Sequence, residues 1–122
     1  MNVLIVEDNQ CLRQTLAEIL SYMFPDISLL EAATGEEALE VVLRERPEVI
    51  FMDIQLPGDN GLVLTRKIKA GDPDIVIIIH TNYDLPEYRE AAEEAGADHF
   101  LPKQRTTMKD IGNLMGRYIS TS

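Results

Sequence analysis

Cys11 is the only cysteine among 122 residues, so neither an internal disulfide nor a cysteine metal cluster can form within the chain. It reads as a small residue near the start of a helix, not as a reactive thiol. Basic residues are also scarce: 11 Lys and Arg stand against 21 Asp and Glu, for a net charge of -10. Nucleic acid and anionic membranes require a cationic footprint, so direct binding to either is not expected. No apolar run approaches the roughly 20 residues of a spanning helix. Met1-Asn2 passes directly into Val3-Leu4-Ile5-Val6, a run too short for the core of a signal peptide. A cytoplasmic location is therefore expected. Repeats, low-complexity tracts and linkers are missing as well, and 45% hydrophobic with 26% charged residues is ordinary for a globular protein. One domain over residues 1–122 is the expected organisation.

Five apolar runs alternate with amphipathic segments: Val3–Val6, Ile27–Ala32, Val49–Met52, Ile75–Ile79 and His99–Leu101. Val49–Met52 and Ile75–Ile79 are apolar at consecutive positions and rich in β-branched residues, as strands covered on both faces should be. Between them, Leu12, Leu16, Ile19, Leu20 and Met23 form a helical stripe that ends before Pro25. Thr34 and Glu37 match a capping box ahead of Ala38, Leu39, Val42 and Leu43, and that helix stops before Pro47. A third helix follows Gly61, with Leu64 and Ile68 inward and Gly71 at its end. A fourth starts near Asp84 with Pro86 in its first turn, presents a thin inner face of Tyr88, Ala91, Ala92 and Ala95, and ends at Gly96. The last, from about Thr107, carries Ile111, Leu114, Met115, Tyr118 and Ile119. This alternation predicts an α/β, doubly wound (βα)5 fold of flavodoxin-like type, with a five-stranded parallel sheet in the order 2-1-3-4-5.

In such a sheet, ligands bind beyond the carboxyl ends of the strands. The first strand ends in Glu7-Asp8, the third in Asp53, the fourth in His80-Thr81 and the fifth in Pro102-Lys103. Ile50-Phe51-Met52 thus leads straight into a carboxylate, which is costly unless something pairs with it. Three converging carboxylates repel one another, and a hard divalent cation such as Mg2+ neutralises them well. Lys103 offers a compact positive charge suited to Asp53 or a phosphoryl oxygen, and Thr81 a hydroxyl donor. A carboxylate nucleophile between a metal and a lysine meets the needs of phosphoryl transfer, which are positioning and charge neutralisation.

These motifs are Val-Glu7-Asp8-Asn, Met-Asp53-Ile-Gln-Leu-Pro57-Gly58, Ile-His-Thr81 and Gly96-Ala97-Asp-His-Phe100-Leu-Pro-Lys103. In that order and at strand ends, they resemble the receiver domains of two-component response regulators, from Val3 to about Ile119. The resemblance implies that Asp53 accepts a phosphoryl group from the phosphohistidine of a sensor histidine kinase or a phosphotransfer protein. It implies that Glu7, Asp8, Asp53 and the Gln55 backbone carbonyl hold Mg2+ (or Mn2+). Thr81, Lys103 and Phe100 fall on the positions that read the phosphoryl group and relay the change to the face made by helix 4, strand 5 and helix 5. The implied partner is a downstream output protein or a C-terminal output domain, with homodimerisation on phosphorylation left open. The protein is then a switch, not an enzyme beyond its own phosphotransfer and dephosphorylation.

Three positions depart from the common pattern. Lys103 precedes Gln104 instead of proline, and a cis bond without proline costs about 3 kcal/mol, so trans is expected. A missing proline resembles the NarL/FixJ group, whose output is a DNA-binding helix-turn-helix. Asn82 stands where a smaller residue is usual and is expected to crowd the phosphoryl site. Gln55 and Tyr83 occupy the pair of positions that tune hydrolysis in this family.

Each residue alone has a plainer reading: Glu7 and Asp8 as helix N-terminal acids, Asp53 as a turn former, Lys103 as a solvated charge, Phe100 as core. Joint placement at one sheet edge is what favours a site. For His80 and His99 the plain reading stands, because neither has a second ligand at metal-site spacing. Two rival functions remain. A flavodoxin-like cofactor-binding module would want a glycine- or hydroxyl-rich loop where Glu7-Asp8-Asn9 repels phosphate. A metal-dependent aspartyl-phosphate phosphatase would place its nucleophile after the first strand, not the third.

Overall fold

Each of the five apolar runs becomes a strand, and the computed structural model describes them within residues 1–119. The strands are β1 (Asn2–Val6), β2 (Ser28–Ala32), β3 (Val49–Met52), β4 (Val76–Thr81) and β5 (His99–Pro102). The helices are α1 (Gln10–Met23), α2 (Gly35–Glu45), α3 (Gly61–Gly71), α4 (Pro86–Ala95) and α5 (Met108–Gly116). All strand pairs are parallel and the order is β2-β1-β3-β4-β5, as the alternation predicts. No helix among the described residues is long and apolar enough to cross a membrane.

Period-two alternation sorts the core into two layers. Leu4, Val6, Ile50, Met52, Ile77 and Ile79 face Ala38, Val42, Leu64, Ile68 and Ala92 from α2, α3 and α4. Val3, Ile5, Val49, Phe51 and Ile78 face Leu16, Leu20, Ile111, Leu114 and Met115 from α1 and α5. Every residue of β3 is buried, because it lies mid-sheet and is covered on both sides. The edge strands β2 and β5 are only partly buried, which explains their weaker apolar signal.

Helix ends follow their capping residues, with some differences from expectation. Thr34 caps α2 by accepting the Glu37 N–H at 3.1 Å, but Glu37 accepts from Ala33 and not from Thr34. The reciprocal box forms instead at α5, between Thr107 and Asp110. Helix α4 begins at Pro86, two residues past Asp84. The Asp84 carboxylate is engaged by Arg105, and the N-cap residue Leu85 provides no side-chain cap. Gly96 ends α4 at φ 99, a left-handed conformation that glycine adopts without steric cost. Helix α5 stops at Gly116, so Tyr118 and Ile119 pack against the core from beyond its end. The Pro57-Gly58 turn closes a two-residue antiparallel hairpin, Gln55–Leu56 with Asp59–Asn60.

Candidate functional site

Parallel strands bring their carboxyl ends to one edge, and one further ladder bond fixes each site residue there. The Glu7 N–H donates to Ala32 O at 3.0 Å, Asp53 N–H to Val6 O at 3.2 Å, and Lys103 N–H to Thr81 O at 2.8 Å. The first residues past β1, β3 and β5 therefore have little freedom to leave the sheet. Glu7, Asp8 and Asp53 each present a carboxylate oxygen within 4.8 Å of the others. Such a pair repels by about 3 kcal/mol at an effective dielectric near 20, so three require compensation.

Lys103 supplies part of it. Its ammonium donates to Asp53 Oδ2 at 2.9 Å and also pairs with Glu7 Oε1. The remaining oxygens meet backbone donors: Glu7 Oε2 accepts from Asn9 at 3.1 Å and Asp53 Oδ1 from Gln55 at 3.3 Å. Burial pushes the Glu7 carboxyl up from its ordinary value, and the bond from Lys103 only partly reverses this. Burial alone would lower the Lys103 ammonium, but its bonds to Glu7 and Asp53 outweigh that and hold it protonated. One lysine thus leaves a residual negative charge in a partly buried site.

Asp8, Gln55 and Asn82 are exposed at the lip of a crevice of about 380 Å3, with Glu7, Asp53 and Lys103 inside it. The donors are all oxygens, two of the three carboxylates are buried and the mouth is open. This set fits a hard, partly hydrated divalent cation such as Mg2+ or Mn2+. Neither histidine joins it among the described residues. His80 lies against Phe51, and burial followed by the charge of Lys103 lowers its pKa to about 4. His99 pairs with the Tyr118 hydroxyl at 2.5 Å.

The remaining sequence-derived residues sit around this crevice. Thr81 is 1% exposed, and its Oγ1 accepts from the Tyr83 N–H at 3.3 Å, with no acceptor for its own proton among the described residues. The Tyr83 ring stacks on Tyr88 at 4.7 Å and is not among the residues that line the crevice. Phe100 is half-buried against the α2–α4 layer, with the Arg89 guanidinium 4.7 Å over its ring. The Lys103–Gln104 peptide is trans, since the chain contains no cis bond among its described residues.

Four contributors escaped the sequence reading. Arg13 donates to the Glu7 carbonyl at 2.8 Å. Arg89 covers Phe100, and Arg105 forms a two-bond pair with Asp84 at 2.8 and 2.9 Å. Gly61 backs directly onto the Asp53 carbonyl, so that a Cβ there would overlap it. Their only sequence signals were an arginine one helical turn past Asn9 and a glycine at a helix start.

The response regulator receiver domain family matches the chain over residues 3–112. A cyclic di-GMP phosphodiesterase of Thermotoga maritima is 39% identical over 103 residues, which is 84% of this chain and 27% of that protein. The response regulator MprA of Mycobacterium leprae is 36% identical over 103 residues, 84% of this chain and 44% of that protein. Among solved structures, a CheY-like response regulator receiver domain protein from Methanospirillum hungatei JF-1 superposes with a TM-score of 0.88 at 26% identity. That match covers 96% of this chain and 91% of the other. The chain therefore spans less than half the length of these two curated relatives.

Proposed function

Because the chain belongs to the response regulator receiver domain family, we propose that Asp53 is its phosphoacceptor and that phosphorylation switches an output surface. One observation carries the reading: Lys103 reaches across the sheet edge to both Glu7 and Asp53, within an acidic trio whose oxygens lie within 4.8 Å. In the reaction, an Asp53 carboxylate oxygen attacks phosphorus on a phosphohistidine of a sensor histidine kinase or phosphotransfer protein. A P–O bond forms, the P–N bond breaks and the leaving imidazole keeps the electron pair and takes up a proton. Lys103 offsets charge on the transferring oxygens, and the Gln55 N–H holds the second carboxylate oxygen.

Glu7, Asp8, Asp53 and the Gln55 carbonyl would hold Mg2+ (or Mn2+), which when bound neutralises charge on the phosphoryl oxygens. Thr81 then donates a hydrogen bond from its hydroxyl to a phosphoryl oxygen. Its movement opens space that Phe100 fills by leaving its place under Arg89. The change reaches the face formed by α4, β5 and α5, where a downstream protein or an attached DNA-binding domain reads it. Within this reading the domain is cytoplasmic, does not itself bind nucleic acid and performs no turnover beyond its own phosphotransfer and dephosphorylation. Asn82 and Gln55 at the crevice lip, with Tyr83 behind, set the lifetime of the acyl phosphate.

Incubation with acetyl phosphate and Mg2+, followed by intact-mass measurement, tests this. The expected result is one added phosphoryl group, lost in Asp53→Asn. Continuous release of phosphate with turnover would instead favour a metal-dependent phosphatase, and no labelling at all would favour a binding module of flavodoxin type.

A further inference from the structure

Arg13 lies in the first full turn of α1, where its N–H donates to Asn9 O at 2.9 Å in the helix ladder. Its side chain turns back over the Glu7-Asp8-Asn9 loop. Nη1 donates to the Glu7 backbone carbonyl at 2.8 Å, and Nε donates to Glu31 Oε1 at 2.9 Å. The side chain is only 15% exposed, although it is a long cation beside the molecular surface. Glu31 stands on β2 in register with Ile5 of β1, so the guanidinium spans from the neighbouring strand to the loop. The loop is thus held at its helical end by the backbone of residue 13 and at its strand end by the side chain of the same residue.

We propose that Arg13 is a positioning residue for the cation site. Its bond to the Glu7 carbonyl fixes the turn from which the Glu7 and Asp8 carboxylates project. The inference rests on the reading of Glu7, Asp8 and Asp53 as cation ligands. Two features support positioning over a simple charge effect. The guanidinium meets Glu7 through the backbone and not through the carboxylate, so it does not compete with a metal for those oxygens. Its charge is already paired with Glu31. A forked, planar donor is also the side chain best able to hold two acceptors at once.

The two explanations predict opposite signs. If Arg13 acted only as a nearby positive charge, removing it would tighten binding of a divalent cation. If it positions the loop, removing it weakens binding, by roughly tenfold, the lower end of the effect usual for groups that orient metal ligands. The experiment is Mn2+ binding to the full chain, followed by the electron paramagnetic resonance signal of the free ion, with Mg2+ as competitor. It is run on wild type, Arg13→Gln and Arg13→Lys, with metal-free urea unfolding to establish that each variant is folded.

Weaker Mn2+ binding by folded Arg13→Gln supports the proposal, and binding equal to or tighter than wild type overturns it. Arg13→Lys keeps the charge but cannot span both acceptors, so it decides by the same criterion if Arg13→Gln does not fold. Absence of Mn2+ binding by the wild type would overturn the underlying site reading. Wild-type binding unchanged in the variants would overturn only the role of Arg13.

Discussion

Adding one methyl group at Gly61 tests how tightly the segment that carries Asp53 is wedged against α3. A Cβ at this position would overlap the Asp53 carbonyl oxygen, and would lie 2.8 Å from the Asp53 carbonyl carbon and 3.0 Å from Ile54 Cα. All three are backbone atoms, so no side chain can rotate to relieve the contact. The helix start is also tied down from within: Gly61 N–H donates to Ile54 O at 2.7 Å, and Thr65 Oγ1 donates to Gly61 O at 2.8 Å. Overpacking of this kind costs about 1–3 kcal/mol, and a contact made wholly with backbone belongs at the upper end. Alanine regains at most about 1 kcal/mol of helix propensity, and less at the first helical position. Gly61→Ala is therefore expected to destabilise the fold by about 2 kcal/mol, seen as a lower midpoint of urea unfolding at unchanged slope. Because the displaced atom is the Asp53 carbonyl, acetyl phosphate labelling of the folded variant should slow as well. Wild-type or greater stability with unchanged labelling would refute the wedge. Gly71→Ala is the control, since a Cβ there meets nothing within 4 Å.

Other parts of the molecule give further expectations. The His80 pKa of about 4 keeps the folded imidazole neutral while the unfolded one protonates near 6.5. The unfolded chain therefore binds the extra proton, and stability falls as pH drops from 6.5 towards 4, by about 3 kcal/mol in all. His80→Phe should flatten that limb of an unfolding-against-pH curve, and an unchanged slope would assign it to other groups. Tyr83→Ala should shorten the phosphorylated lifetime, although the ring must leave its stack on Tyr88 to face the crevice. An unchanged dephosphorylation rate would remove Tyr83 from that role. Arg105→Ala breaks the two-bond link between the β4–α4 and β5–α5 loops and should speed amide exchange at 82–85, with little change in α2 as the internal reference. Equal protection in wild type and variant would show that the link holds nothing in place.

Legibility of the fold depended on burial at each position. β3 and β4 run apolar for several consecutive residues because they lie inside the sheet, and they were plain in the sequence. β2 carries Ser28 and Glu31 because it is an edge strand, and its start was placed one residue early. The convergence of Glu7, Asp53, Thr81 and Lys103 was also legible, because parallel topology and right-handed crossovers leave strand ends only one edge to share. The arginines were not. Arg13, Arg89 and Arg105 stand on a helix or loop where a long cation reads as a solvated charge. Their side-chain partners Glu31, Phe100 and Asp84 lie 18, 11 and 21 residues away across the fold, and only the Glu7 carbonyl, six residues before Arg13, is near in sequence. Those distances are set by how α1, α4 and the β5–α5 loop lie on the sheet, and no local spacing reports that.

The same contrast explains how a strand as apolar as Ile50-Phe51-Met52 tolerates Asp53 at its end. The backbone part of the answer is general: Asp53 N–H continues the ladder to Val6 O, which any residue but proline would do. The side-chain part is specific, because Oδ2 needs Lys103 from just past β5, and Oδ1 needs the Gln55 N–H that the turn after β3 delivers. Gly61 completes it by letting α3 start against the Asp53 carbonyl, where a Cβ would overlap that oxygen. A carboxylate held in this way is buried enough to interact strongly and still lines the open crevice. Both properties arise from its being the first residue past the end of a central strand.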